Sequence, residues 1–265
     1  MNREPKSKVE VEERNRPVFC LLSFVLATFV LLGCSRTPVE RVEWPVMGTI
    51  AAVQTRGGGI QFLNGVCKIV RDWFAAESDY FNAYDPKSEL SRLQGLSDEE
   101  LLKKCNPHAA VCYAAAFKLR EQSGGAFDPR WKGPGTLDMG AIAKGFAVDN
   151  AALNCWNGED ILIDLGGNLK AVKGDWTVGI KDGESFVLHE GEACATSAHY
   201  YRGDHIKDGR TKADITNGVY SVTVIHPKSA MLADGLSTTL FILGREKGEA
   251  FLKRHYPDAR AVWLP

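Results

Sequence analysis

The chain has 265 residues, 45% of them hydrophobic and 25% charged, with 32 basic against 33 acidic side chains and a formal net charge of -1. These proportions describe a folded globular protein and exclude disordered and fibrous classes. The near-neutral balance also excludes a nucleic-acid binder that works through bulk positive charge.

The first element is an uncharged run. No charged residue occurs between Arg16 and Arg36, and residues 17–34 read PVFCLLSFVLATFVLLGC behind Arg14 and Arg16. A basic flank, an apolar centre and small residues at the end predict a secretory signal. Leu31-Leu32-Gly33-Cys34 resembles the lipobox of bacterial lipoproteins, which predicts cleavage before Cys34 and lipidation of its thiol. Residues 1–33 are then a signal peptide, 34–45 a lipidated tether and 46–265 the folded domain. An uncleaved anchor helix is the alternative, and both readings place the domain outside the cytoplasm, at a membrane. Cys67, Cys105, Cys112, Cys155 and Cys194 remain, an odd set without metal-ligand spacing. They are predicted to be buried small hydrophobes.

Along the domain, MGTIAAVQ (47–54) predicts a strand ended by Gly57-Gly58-Gly59. Ile60, Leu63, Cys67, Val70 and Phe74 follow helical spacing. A second helix is predicted over Pro107–Gln122, and a third from near Gly140 to near Asn157-Gly158. Strands follow at Ile161–Leu165, Trp176–Ile180 and Ser221–Ile225, then helices at Met231–Leu243 and Lys247–His255. The elements interleave without a strict βαβ rhythm, so the predicted fold is α+β, a single domain with mixed or antiparallel sheets and packed helices.

Four segments are too polar and glycine-rich for their apolar settings. Gly125-Ala126-Phe127-Asp128-Pro129 reads alone as a turn. In LDMGAIAKGFAVD (137–149), Asp138 sits where an N-cap belongs and Lys144 falls in the helix's second turn. Capping and an anion cradle both account for that pattern. DLGGN (164–168) allows either close backbone approach to a ligand or a tight turn. In ADGLSTT (233–239), Asp234 and Thr238 are four apart and share a helix face. They offer hard oxygen donors suited to Mg2+, or else a capping acid and a back-bonded threonine.

The order of these segments, with Met47-Gly48-Thr49, Phe81-Asn82-Ala83-Tyr84, Ser88–Leu93, Ala195-Thr196-Ser197, His205-Ile206 and Ser221–Val224, resembles the ApbE family of flavin transferases over nearly all of 46–245. The resemblance implies an ApbE-like, T-fold-like architecture. It also implies an enzyme that cleaves FAD, joins FMN by a phosphoester to a threonine or serine of an acceptor protein, and releases AMP. It implies FAD contacts at Met47, Tyr84, Ala126, Phe127, Asp128, Asp138, Lys144 and Ile206. Mg2+ would be held by the side chains of Asp234 and Thr238 and the carbonyl of Ala141, with His205 near the reacting phosphate. His205, Asp234 and Lys144 are then the expected catalytic groups, and the acceptors are flavoprotein subunits of membrane redox complexes. FAD hydrolysis to FMN and AMP, or FAD binding without catalysis, are the alternatives.

Two stretches depart from the family pattern, at Ala198 and at Gly209 and Lys212. Ala198 follows Thr196-Ser197 where glycine is usual. The run Asp208-Gly209-Arg210-Thr211-Lys212 stands where Asp-Pro-x-Thr-Gly is expected.

Overall fold

Alternation of exposed and half-buried residues along VERVEWPV makes Val39–Val46 an edge strand, β1. The computed structural model describes residues 37–155, 158–180, 184–199 and 206–264. The predicted signal, Cys34 and His205 therefore lie outside the described residues. β1 corrects the expected boundary at 46: most of the stretch assigned to a tether is strand, because its odd-even pattern pairs it with the next strand in full register.

Met47 and Gly48 form the two-residue turn after β1, both at positive φ (50° and 68°), as a type I′ hairpin requires. The following strand, β2, therefore starts at Thr49 rather than Met47 and runs to Arg56. Helix α1 (Gly59–Phe81) buries Leu63, Cys67, Val70 and Phe74, the predicted stripe apart from exposed Ile60, and adds Val66 to it. Short helices α2 (Glu89–Arg92) and α3 (Asp98–Lys104) precede α4 (Pro107–Gln122). Serine caps start the two short helices, and Asn106 starts α4. Helix α5 spans only Ala143–Leu153.

Strands β3 (Asp160–Leu165) and β4 (Asn168–Lys173) meet at Gly166-Gly167, a second turn with positive φ throughout. A Cβ on Gly166 would overlap the Thr49 hydroxyl, so glycine lets the two hairpin turns abut. Hairpin β5 (Trp176–Gly179) and β6 (Ser185–Leu188) follows, then β7 (Ala193–Ala198), β8 (Ser221–His226), α6 (Ala230–Leu243), α7 (Arg245–His255) and β9 (Arg260–Leu264).

Seven strands form one antiparallel sheet in the order β1-β2-β3-β4-β7-β8-β9. β5 and β6 form a separate antiparallel ribbon. Period-two alternation divides the core. Ile161, Ile163 and Leu165 join a cluster with α1 and α5, whereas Leu162 joins Trp176 and Leu188 of the ribbon. Val222 and Val224 of β8 pack with α4, α6 and α7. Helix α6 is buried on almost every side, which leaves Asp234, Ser237 and Thr238 polar groups inside a packed layer. The fold is the predicted α+β domain. All five described cysteines are free and buried, with burial pushing the Cys155 thiol up to about 12 and removing its reactivity.

Candidate functional site

Helix α5 does not start where its sequence suggests. The amides of Ile142 and Ala143 both donate to the Met139 carbonyl (3.1 and 2.9 Å), so Gly140-Ala141-Ile142 is a turn and Ile142 is the residue before the helix. Asp138 is thus not the N-cap. Its carboxylate accepts from the Gly140 amide (2.9 Å) and faces the Lys132 ammonium at 2.8 Å. Burial raises the Asp138 pKa, but Lys132 and the Gly140 amide outweigh it, and the net shift is downward. Lys144 stands in the first helical turn rather than the second and donates to the Gly140 carbonyl (2.9 Å).

In a regular helix the Gly145 amide would donate to the Ala141 carbonyl, four residues back. Here it donates instead to Asp234 Oδ2 of α6, at 3.0 Å. Among the described residues the Ala141 carbonyl accepts no main-chain bond in its place. The positive end of α5 is therefore occupied by an internal carboxylate, which decides between the capping and free-cradle readings of this segment. Glycine makes the approach possible. A Cβ at Gly145 would overlap the Ala230 carbonyl and lie 2.8 Å from Asp234 Cβ.

Asp234 is 5% exposed. Burial pushes its carboxyl pKa up, against the opposing pull of Lys144, whose Nζ is 3.5 Å from Oδ2. Both contacts fall on Oδ2; Oδ1 takes neither. One turn on, Thr238 Oγ1 is 3.2 Å from Ser197 Oγ of β7, which also meets Ser237 Oγ at 2.9 Å. Ser237 in turn donates to the Asp234 carbonyl (2.9 Å). A chain of hydroxyls thus fixes the Thr238 rotamer from the sheet. Ser197, Ser237 and Gly145 lie in the segments named above but were given no role there, and Lys132 was not named. Only Gly145, inside an otherwise regular helix, carried a signal.

Among the described residues no group of three or more His, Cys, Asp or Glu could hold a metal ion. The donors at this seam are a carboxylate, a hydroxyl and a carbonyl of the turn that precedes α5, which accepts no main-chain bond among the described residues. That is a set for a hard cation of the Mg2+ type, which is bound by oxygen and keeps several waters. A desolvated carboxylate with only one distant lysine also lacks a full charge partner. The residues fit such an ion.

The other expected contacts divide. Tyr84 is 95% exposed, its ring free to meet a ligand from solvent. Ala126 and Phe127 have core side chains and can offer a ligand only main-chain atoms. The Ala126 carbonyl accepts from the Gly209 amide (2.9 Å). Asp128 accepts from the Arg130 amide (2.9 Å) and has Lys212 Nζ at 3.6 Å. Ile206 packs on the α4–α6 core, while Met47 packs on the α1–α5 core beside the sheet turn. Lys212 has φ 65°. The left-handed backbone expected of a glycine there is kept although a lysine occupies it, at a steric cost of about 1–2 kcal/mol. Gly209 is equally constrained, since a Cβ would lie 2.5 Å from Asp128 Cβ.

The ApbE family model matches residues 131–263, which include the α5–α6 seam. Curated proteins named FAD:protein FMN transferase are similar to the chain. One from Klebsiella pneumoniae is 37% identical over 145 residues, covering 48% of this chain and 45% of that protein. One from Vibrio cholerae is 37% identical over 136 residues, covering 43% and 40%. The aligned part of the chain thus spans less than half the length of these relatives. Among solved structures, the flavin transferase ApbE from Vibrio cholerae superposes with a TM-score of 0.71 at 24% identity, over 85% of this chain and 94% of that one. The apo flavinyl transferase ApbE of Pseudomonas stutzeri gives 0.70 at 22%, over 85% and 90%. At such identities the likeness establishes the fold.

Proposed function

The chain belongs to the ApbE family, and from that premise we propose that it is an Mg2+-dependent FAD:protein FMN transferase. In the proposed reaction an acceptor threonine or serine oxygen bonds to the FMN phosphorus, the bond to the bridging oxygen of the pyrophosphate breaks, and AMP leaves. The observation that carries this reading is the Gly145 amide turned from Ala141 to Asp234. It sets a free carbonyl, a buried carboxylate and the Thr238 hydroxyl on one seam. The names of the similar proteins support the same activity.

Asp234, Thr238 and the Ala141 carbonyl would hold the ion. Bound there, Mg2+ supplies a Lewis acid that neutralises charge developing on the departing phosphate. Lys144 adds a positive charge beside it, restrained by the Gly140 carbonyl so that the ammonium is positioned before substrate arrives. Tyr84 offers an exposed ring for the flavin. Asp138, kept ionised by Lys132, offers an acceptor for polar edges of the ligand. The proton of the attacking hydroxyl goes to His205 in this reading, an assignment that rests on the family resemblance alone.

The Cys34 lipobox supports a lipid-anchored, extracytoplasmic location, where acceptor subunits of membrane redox complexes would be within reach. One experiment tests the activity. The chain lacking residues 1–36 is incubated with FAD, Mg2+ and an acceptor domain, and covalent flavin fluorescence is read on a denaturing gel. A fluorescent acceptor band that Asp234→Ala abolishes supports transfer. AMP release without any acceptor would instead indicate a hydrolase, and FAD binding with neither product a flavin-binding protein.

A further inference from the structure

Asp149 ends the LDMGAIAKGFAVD string, yet neither the metal donors nor the flavin contacts use it. It lies one turn beyond Gly145 on α5, so the two share a face. On α6, Ala230 and Asp234 share a face in the same way. The two faces meet residue on residue. Gly145 leaves room for the Ala230 carbonyl and donates to Asp234, while Asp149 Oδ1 accepts from the Ala230 amide at 2.9 Å. Asp149 Oδ2 accepts from the Met231 amide (3.0 Å) and the Ser229 hydroxyl (2.8 Å). Ser229 Oγ also accepts from the Leu232 amide (3.1 Å). Three otherwise orphaned amides of the first turn of α6 are thereby satisfied, two of them by a carboxylate from another helix. Lys170 of β4 holds that carboxylate from the far side, 3.2 Å from Oδ1, and donates to the Lys228 carbonyl.

Each helix thus puts an aspartate on the N-terminal amides of the other. We propose that Asp149 is a positioning residue for the cation site, fixing the register of α6 on α5 so that Asp234 meets the Gly145 amide and the Ala141 carbonyl stays free. The cation role of that site rests on the transferase reading; the register claim rests on the bonds just given. An ordinary capping residue would stabilise α6 without affecting Gly145, which lies in a different helix. Partners that orient metal-binding groups typically contribute about 10–100-fold in affinity.

The test uses the full chain and two readouts. In Asp149→Asn, one oxygen and the charge are lost with little change of shape. Exchange of the Gly145 amide, measured relative to Ile163 in β3, is expected to speed up about 10-fold. The dissociation constant for Mg2+ alone, measured by calorimetry at pH 7.5, is expected to rise about 10-fold or more. Ser229→Ala removes a cap but leaves the Ala230 and Met231 bonds, so it should lower Tm with both readouts unchanged. If Asp149→Asn lowers Tm but leaves Gly145 exchange at the wild-type ratio, Asp149 only caps α6 and the proposal is overturned. The same holds if Ser229→Ala moves Gly145 as much. Should wild-type protein bind no Mg2+, the cation reading fails, and Gly145 exchange still decides the register claim.

Discussion

Asp234 and Glu77 are both carboxylates taken out of water between helices, and what else faces them differs. Glu77 of α1 is fully buried. Its Oε1 meets His108 Nε2 at 2.6 Å and accepts from Asn150 Nδ2 at 2.9 Å, joining α1 to α4 and α5. Burial pushes its pKa up, as it does for Asp234, with His108 opposing. Around His108, however, stand the rings of Trp73, Tyr80 and Phe146, and Glu77 Oε2 is buried with no partner among the described residues. At Asp234 the neighbours are the Gly145 amide, a lysine and, through its own carbonyl, three linked hydroxyls. A buried acid with a raised pKa therefore does not by itself mark a site. What distinguishes Asp234 is the set of oxygen groups on the helices around it, which the proposed cation site uses.

The comparison predicts different responses to truncation. Asp234→Ala should remove covalent flavin transfer by about 1,000-fold or more, the several kcal/mol expected of a lost metal ligand, and cost about 1–2 kcal/mol of stability because the Gly145 amide loses its acceptor. Glu77→Ala should leave the transfer rate per folded molecule within about twofold. It should instead cost about 2–3 kcal/mol of stability, because His108 and Asn150 lose their acceptor inside the core. Urea unfolding and the gel assay on the same samples measure both. If Glu77→Ala lost transfer at full stability, the distinction between the two acids would collapse.

Gly145→Ala sharpens the comparison from the other side, since at the seam packing and site are the same atoms. In an exposed helix this change would stabilise by up to about 1 kcal/mol. Here the added methyl overlaps the Ala230 carbonyl, main chain that cannot rotate away, so a net loss of about 2 kcal/mol is expected. The Mg2+ requirement for transfer should rise together with the fall in Tm. A destabilised variant with an unchanged Mg2+ requirement would show that α6 can shift without carrying Asp234 out of place.

Sequence reading named the donors of the proposed cation site but not their arrangement, and the reason is physical. Asp234 and Thr238 were legible as a pair because four residues is a local helical relation. The free Ala141 carbonyl was not legible from spacing, because it depends on where the Gly145 amide points across 89 residues of chain. Asp138 was misread as an N-cap because an aspartate before a helix looks the same whether it caps the helix or closes a turn two residues on. Strands β1 and β9 were missed for a similar reason. In β1 charges interrupt the apolar residues (VERVEWPV), and in β9 five residues are too few to show a period, so each carries little signal until a partner strand supplies the register. By contrast α4 was read to the residue, since Pro107 and Gly124-Gly125 mark both its ends.

The smallest expected effect separates the two regions by pH. His226 ends β8, and its Nδ1 accepts from the Lys228 amide (3.2 Å) and the Ser229 amide (3.0 Å), holding the chain as it enters α6. That role needs a neutral ring with its proton on Nε2. Burial lowers its pKa below the ordinary 6.5, with Lys170 acting the same way and Asp149 and Asp258 opposing. A group depressed in the folded state binds its proton first in the unfolded chain. Its contribution to stability is therefore complete above about pH 6.5 and is lost as pH falls through the folded value. His226→Asn keeps an acceptor at the same place and cannot titrate. Between pH 7.5 and 5.5 the urea midpoint of wild type should fall further than that of His226→Asn. Glu77, unchanged in the variant, works the other way: its raised carboxyl takes up a proton first in the folded chain, so it opposes the fall in both proteins alike. Equal slopes would show that His226 does not carry the acid sensitivity, and leave the entry to α6 indifferent to pH.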